Sequence, residues 1–176
     1  MVDLQSAHTA WLRPDELRAI RGLLDEAFDG EVTDEDYEHA LGGIHALVWE
    51  GSELIGHGSV VMRRLMHQGR ALRTGYVEAV AVRSDRRGLG HGSAVMQLLE
   101  RVIRGAYEIG ALGATDEAAA FYVSRGWQRW TGTASVLSPS GIRRTAEEEG
   151  CIYVLPVAGE LAHDELACDW RGGDVW

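Results

Sequence analysis

Lysine is absent from this chain: all 17 basic residues are arginine. A nucleotide-triphosphate P-loop needs Gly-Lys-Ser/Thr, so that class is excluded. Schiff-base chemistry with pyridoxal phosphate and lysine-tethered carriers fall with it. There are only two cysteines, Cys151 and Cys168. They form no metal-ligand pair, and reduced thiols are expected rather than a disulfide. The seven histidines are scattered without metal-ligand spacing, so no metal is implied. No apolar run approaches the length of a membrane-spanning helix, and the start of the chain lacks a basic-then-apolar signal pattern, which points to the cytoplasm. Positive charge is in deficit too. A net charge of −10 repels nucleic acid and anionic membrane surfaces, and suits either a cationic partner or simple solubility. Against these absences stand 45% hydrophobic and 25% charged residues over 176 positions, the composition of one globular domain spanning 1–176.

Periodicity divides the chain into elements. Pro14 and Asp15 suit a helix start, with Leu17, Ile20, Leu24 and Phe28 at helical spacing and Gly30 as its stop. Thr33 is read as the cap of a second helix running to about Leu41. His45 to Trp49 and Leu54 to Leu65 read as a β-hairpin around Glu50-Gly51-Ser52, and Ala71 to Arg83 as a long strand. Ala94, Val95, Leu98, Leu99, Val102, Ile103 and Ala106 mark the apolar stripe of a helix from near Ser93 to about Glu108. A short strand at 110–113, a helix from Asp116 to Ser124 and weak strands near 128–130 and 133–137 follow. A polar loop over 138–150 and a final strand near Cys151 to Leu155 complete the expectation.

The most informative stretch is Arg87-Gly88-Leu89-Gly90-His91-Gly92, between the run Val77 to Val82 and a helix start. A glycine-rich loop there turns consecutive amides toward one point, where they and the positive helix end hold a phosphate without side-chain charge. A dinucleotide fingerprint starting at Gly88 would need glycine at position 93, which is Ser93. A hydrolase nucleophile elbow at Gly90-His91-Gly92-Ser93-Ala94 lacks its second flanking glycine. The plainer alternative is an ordinary strand-to-helix turn.

Arg-x-x-Gly-x-Gly resembles the pyrophosphate-binding signature of the GNAT N-acetyltransferases. The element order also resembles their α/β fold, a mixed central sheet splayed at the cofactor site with flanking helices. The resemblance implies acetyl-CoA as cosubstrate. It places the backbone of Val80, Ala81 and Val82 along the pantetheine arm, with the amide near Val80 meeting the thioester oxygen, and Arg87, Gly88, Leu89, Gly90, His91 and Gly92 at the diphosphate. His91 contributes through its backbone.

Acyl transfer to an amine needs a base, donors for the thioester oxygen and an acid for the thiolate. On an ideal strand Tyr76, Glu78, Val80 and Val82 share a face, which makes Glu78 a carboxylate on an otherwise apolar strand and a candidate base acting through water. The alternative is a glutamate paired with Arg73 or Arg83, and a bulge would change its facing. Tyr122 is either a core aromatic or the acid, the role many relatives give a tyrosine here.

Gly-Tyr-Val-Glu-Ala-Val-Ala-Val at 75–82, Leu-Gly-Gly-Ile-His-Ala-Leu at 41–47, Arg-Gly-Ala-Tyr at 104–107, Tyr-Val-Ser-Arg-Gly-Trp at 122–127 and Cys-Asp-Trp-Arg-Gly-Gly-Asp-Val-Trp at 168–176 resemble the aminoglycoside 2'-N-acetyltransferases. That resemblance implies a polycationic drug as acceptor, a direct ternary-complex reaction and a homodimer. It implies that Glu31, Asp36, Glu78, Ala79, Gly113, Glu148, Asp174 and the C-terminal carboxylate of Trp176 line the acceptor site, carboxylates suiting a polycation. On the residues alone, Asp36 also suits a helix N-terminus and Glu147 to Glu149 a solvated loop. Members of that family carry aspartate where this chain has Glu31 and Glu148, and serine at Gly113, so a shifted substrate range is expected. Another cationic amine as acceptor, and a non-catalytic drug-binding module, are the competing readings.

Overall fold

The computed structural model describes residues 1–176 and contains ten β-strands and four α-helices. They form two compact units, residues 1–61 with 77–102 and residues 62–76 with 103–176. Two long strands, β3 (Glu53–His67) and β4 (Arg70–Val82), and helix α3 (His91–Ala106) contribute to both. No helix is long and apolar enough to cross a membrane.

In the first unit the strands follow the order β1-β2-β3, with β1 at Val2–His8 and β2 at Ile44–Glu50. All of β1 pairs antiparallel with β2, from Val2↔Glu50 to His8↔Ile44. This strand was not expected from sequence. Val2 to Ser6 are all exposed, so main-chain pairing holds the segment and it carries no alternating apolar signal. Helix α1 (Pro14–Ala27) begins at its proline, with Glu16 Oε2 accepting from the Arg13 amide at 2.8 Å. It buries Ile20, Leu23 and Leu24 against Leu47, Leu54 and Ala81. Phe28, expected on that stripe, is exposed because the helix ends before it. Gly30, with φ +78°, makes the turn that follows. Helix α2 (Asp34–His39) is capped by Thr33 as expected, but stops short of Leu41.

On β3, glycine is required by packing at position 58. A Cβ there would stand 2.7 Å from Val95 Cγ1 and 3.1 Å from Leu99 Cδ1, so β3 and α3 approach closely. Helix α3 starts at His91, two residues before Ser93, and buries Val95, Leu98, Leu99 and Ile103 of the expected stripe together with Met96.

The second unit contains two strand sets, β6-β9-β5-β4 and β3-β10-β7-β8. In the first, β5 (Ile109–Gly113) pairs in parallel with Thr74–Tyr76 of β4 and antiparallel with β9 (Ile152–Pro156), which also pairs with β6 (Gln128–Arg129). In the second, β10 (Leu166–Asp169) pairs antiparallel with β3 and in parallel with β7 (Ala134–Ser138). Two sequence expectations are corrected here. The polar stretch 138–150 is not all loop: β8 (Gly141–Arg144) forms a hairpin with β7, and a 3₁₀ turn covers Ala146–Glu148. The strand near Cys151 is not the last, since β10 follows. Helix α4 (Asp116–Val123) completes this unit.

Candidate active site

The decisive local feature of β4 is Ala79, whose φ of +52° puts a non-glycine residue in the left-handed region. Two contacts show that strand alternation slips across it. A Cβ on Gly75 would meet Ile103 of α3, whereas five residues later Val80 faces Gly58 together with Val95 and Leu99 of the same helix. Positions 75 and 80 share a face, which an unbroken strand forbids. Ala79 and Ala81 both pack on the opposite side, against the α1 cluster. The expectation that Tyr76, Glu78, Val80 and Val82 share one face is therefore corrected: the bulge separates Tyr76 from Val80. Glu78, immediately before the slip, is half-buried. Arg83 pairs with Glu53 and Asp85 at 2.7 Å each, and Arg73 Nε donates to the Ala106 carbonyl at 2.7 Å.

Beyond Val82 the chain makes a 3₁₀ turn at Ser84–Arg86, braced by Arg86 on Glu50 at 2.7 Å, and enters the glycine loop. Gly88 and Gly90 have φ of +75° and +87°, and a Cβ on either would meet no atom within 4 Å. Backbone conformation, rather than crowding, demands glycine at both places. The loop runs straight into α3, whose first amides have no intrahelical acceptor. Open space, glycine backbone and a helix N-terminus fit a diphosphate. Arg87 lies over the main chain, with Nε 3.1 Å from the Val82 carbonyl.

Two buried histidines meet the bulge, and the sequence reading did not single them out. His45 on β2 and His57 on β3 are fully buried, with His45 Nδ1 2.9 Å from His57 Nε2 and His57 Nδ1 2.8 Å from the Ala79 carbonyl oxygen. His45 Nε2 lies 2.7 Å from Thr9 Oγ1, which accepts from the Gly42 amide at 2.9 Å. Burial pushes His45 down to about 4, helped by the charge of His8, and His57 down to about 3, helped by His45. The signal available in sequence was a histidine at an inward strand position inside Gly56-His57-Gly58.

Glu31 and Asp36 also belong to this first unit. Glu31 is exposed just after the α1 turn. Asp36 completes a capping box with Thr33, its Oδ2 accepting from the Thr33 amide at 2.9 Å while Thr33 Oγ1 accepts from the Asp36 amide at 3.1 Å.

In the second unit, Glu148, Asp174 and Trp176 come together. Trp176 is 4% exposed, its Nε1 donating to Thr145 Oγ1 at 2.8 Å and its amide donating to Asp174 Oδ1 at 3.0 Å. Thr145 caps the 3₁₀ turn that carries Glu148. Burial, then the charges of Asp174 and Glu147, hold the Glu148 carboxyl above the usual range, so two like charges approach closely here. Arg63, 4% exposed, anchors the segment through Nε to Asp169 Oδ1 at 2.8 Å and Nη2 to the Val175 carbonyl at 2.7 Å. Arg171 Nη2 donates to the main-chain oxygen of Trp176 at 2.7 Å. Gly113 ends β5, where a Cβ would touch only Tyr76 Oη, at 3.7 Å. Tyr122 is 8% exposed in ring contact with Phe121, Trp127 and Tyr153, and burial pushes its phenol up to about 12.

A family model described as the acetyltransferase (GNAT) family matches residues 8–127. An aminoglycoside 2'-N-acetyltransferase of Mycolicibacterium fortuitum is 49% identical over 174 residues, 96% of this chain and 89% of that protein. The crystal structure of Escherichia coli ElaA superposes with a TM-score of 0.62 at 20% identity, covering 88% of this chain and 99% of that one. An acyl-CoA N-acyltransferase from Pseudomonas aeruginosa gives 0.63 at 17% identity, with coverages of 88% and 99%. The two structures share the fold, while the family model spans the bulged strand and the glycine loop and the mycobacterial relative extends the likeness over nearly all the sequence. The chain belongs to the acetyltransferase (GNAT) family.

Proposed function

We propose that this protein transfers the acetyl group of acetyl-CoA to the 2'-amino group of aminoglycoside antibiotics, by direct attack in a ternary complex. The observation that carries this reading is the 49% identity, over 96% of the chain, to an aminoglycoside 2'-N-acetyltransferase. The acidic pair Glu148 and Asp174 supports it, because two carboxylates held together against their own repulsion gain most from a polycation. The net charge of −10 adds long-range attraction for the same ligand.

Acetyltransferases of this family draw on acetyl-CoA, which when bound supplies an acetyl group already activated as a thioester. The residues of this chain do the rest. Amides of the Arg87–Gly92 loop and the start of α3 hold the diphosphate. Main-chain groups of Val80, Ala81 and Val82 receive the pantetheine arm as an added strand, and the Val80 amide donates to the carbonyl oxygen where negative charge develops. Glu78 takes the ammonium proton through water, and Tyr122 donates to the departing sulfur. The resemblance assigns drug contacts to Glu31, Asp36 and Ala79 in the first unit and to Gly113, Glu148, Asp174 and Trp176 in the second. The acids orient the drug's amines, and the longer Glu31 and Glu148 side chains shift which drugs are accepted.

Thiol release from acetyl-CoA, measured with aminoglycosides that carry or lack a 2'-amine, tests the reading: turnover should require that amine. Glu78→Gln and Tyr122→Phe should each lower kcat about 10²- to 10⁴-fold, the usual worth of a positioned acid or base. Equal turnover with drugs lacking the amine would refute the regiochemistry, and unchanged rates in both variants would refute the assigned roles.

A further inference from the structure

The hydrogen bonds through the two buried histidines can run in only one direction. The Ala79 oxygen is a carbonyl and accepts, so His57 carries its proton on Nδ1. The ring is neutral, which leaves Nε2 bare to accept from His45 Nδ1–H. His45, also neutral, then has a bare Nε2 that accepts the Thr9 hydroxyl proton at 2.7 Å, in preference to the Gly43 carbonyl at 3.3 Å. Thr9 Oγ1 completes the chain by accepting from the Gly42 amide at 2.9 Å. With burial keeping both rings neutral, every donor and acceptor is matched and both tautomers follow from these contacts.

This chain cannot carry protons away from a reaction, because it ends on a carbonyl, which has no proton of its own to pass on. It can hold that carbonyl in place. The peptide bond is planar and trans, so the carbonyl oxygen of Ala79 and the amide hydrogen of Val80 belong to one rigid plate and point in opposite directions. A donor fixing the oxygen therefore fixes where the Val80 amide points, and the bond also polarises that amide. The plate sits where it needs holding: Ala79 has φ +52° with a Cβ, a conformation that persists only when its surroundings impose it.

We infer that His57, itself oriented by His45 and Thr9, is a positioning residue of the acetyl-transfer site: its Nδ1–H clamps the Ala79 carbonyl and thereby aims the Val80 amide at the thioester oxygen. The inference rests on the function proposed above, which gives the Val80 amide its role.

The test compares His57→Leu, which removes the donor, with His57→Asn, whose side-chain amide nitrogen occupies roughly the Nδ1 position, and His57→Gln, whose nitrogen reaches roughly that of Nε2. His57→Leu should lower kcat about 100-fold, as loss of an oxyanion donor does, with KM for acetyl-CoA and drug changed less than about threefold. His57→Asn should recover most of that loss and His57→Gln little of it. In the unliganded protein, long-range ¹H–¹⁵N spectra should show His57 protonated on Nδ1 alone, and the Val80 amide resonance should move in His57→Leu and His57→Gln but return toward wild type in His57→Asn. If His57→Leu does not fold, the Asn and Gln pair still decides. Equal impairment of these two, a Val80 resonance indifferent to position 57, or Nε2 protonation overturns the inference. An absence of acetyl transfer to any aminoglycoside by the wild-type protein would instead overturn the function, leaving the spectroscopic arm to judge the clamp alone.

Discussion

Replacing Arg63 by methionine should loosen the segment 170–176 from the second unit. Methionine keeps the length of the buried stem but loses the charge. Arg63 Nη2 donates to the Val175 carbonyl at 2.7 Å and to the Asp169 carbonyl at 3.0 Å, and Nε donates to Asp169 Oδ1 at 2.8 Å. A hydrogen bond from a charged donor contributes about 1.5–3 kcal/mol, and losing one strands its acceptor. Three terms pull the total down. The Asp169 side chain is 43% exposed and can return to water, which limits that ion pair to about 1 kcal/mol. Arg63 Nη1 is buried without a hydrogen-bond partner, a standing cost of about 1–3 kcal/mol that the substitution removes. The loss is also capped by release of the segment, since once Val175 detaches its carbonyl is solvated, and what then disappears is mainly the burial of Trp176, about 2–3 kcal/mol. A loss of about 3 kcal/mol follows, which for a chain of this size lowers Tm by roughly 6–12 °C.

Calorimetry gives the global effect, and hydrogen exchange at the Val175 and Trp176 amides shows whether it is local. Because Arg63 and Trp176 secure the same segment, Trp176→Ala and Arg63→Met combined should cost less than their sum. A Tm within about 1 °C of wild type, or strict additivity, would refute the claim that Arg63 holds this segment.

Acidification should destabilise the first unit through its two imidazoles. Each titrates near 6.5 when unfolded but at about 4 and about 3 when folded, so the unfolded chain binds more protons between those values and stability falls as pH drops. The slope reaches about 1.4 kcal/mol per pH unit per imidazole; urea midpoints between pH 7 and 5 should show it, and His57→Asn should flatten it. Gly113→Ser should leave stability within about 0.5 kcal/mol, because its Cβ meets only Tyr76 Oη at ordinary contact distance. The added hydroxyl should nevertheless reorder the specificity constants across a panel of aminoglycosides, and an unchanged order would remove Gly113 from the drug site.

The parts of the fold legible in sequence were those whose side chains announce the period. Helix α3 was readable because Val95, Leu98, Leu99 and Ile103 fall on one face, and α1 because Pro14 marks its start. Strand β1 was not, because exposed residues from Val2 to Ser6 give a strand held by main-chain pairing no pattern to show. Strand β10 was missed for a related reason: it is only four residues long, and its alignment with β7 and β3 is set by partners about 30 and 100 residues earlier in the chain. The glycine loop was legible because Gly88 and Gly90 are there for their backbone conformation, which sequence reports directly.

The chemistry was legible only as far as residue identity goes. Alternation placed Glu78 and Val80 on one face, and a single left-handed alanine undid that arithmetic, since nothing about alanine signals a positive φ. The histidine pair that meets the bulge, with His57 Nδ1 2.8 Å from the Ala79 carbonyl oxygen, has no metal-ligand spacing to mark it in sequence. For Tyr122 the structure shows the core aromatic, 8% exposed among other rings, and that packing bears on the acid role proposed for it. A phenol at about 12 keeps its proton throughout the physiological range, and because a thiol is the stronger acid, handing that proton over in full to a thiolate is uphill. Full transfer ahead of bond breaking is therefore disfavoured. The form of the proposed role compatible with this is a hydrogen bond strengthening as charge builds on sulfur, with the proton moving as the C–S bond opens. Burial of the ring supports this role, because a donor fixed among Phe121, Trp127 and Tyr153 need not reorganise at the moment of transfer.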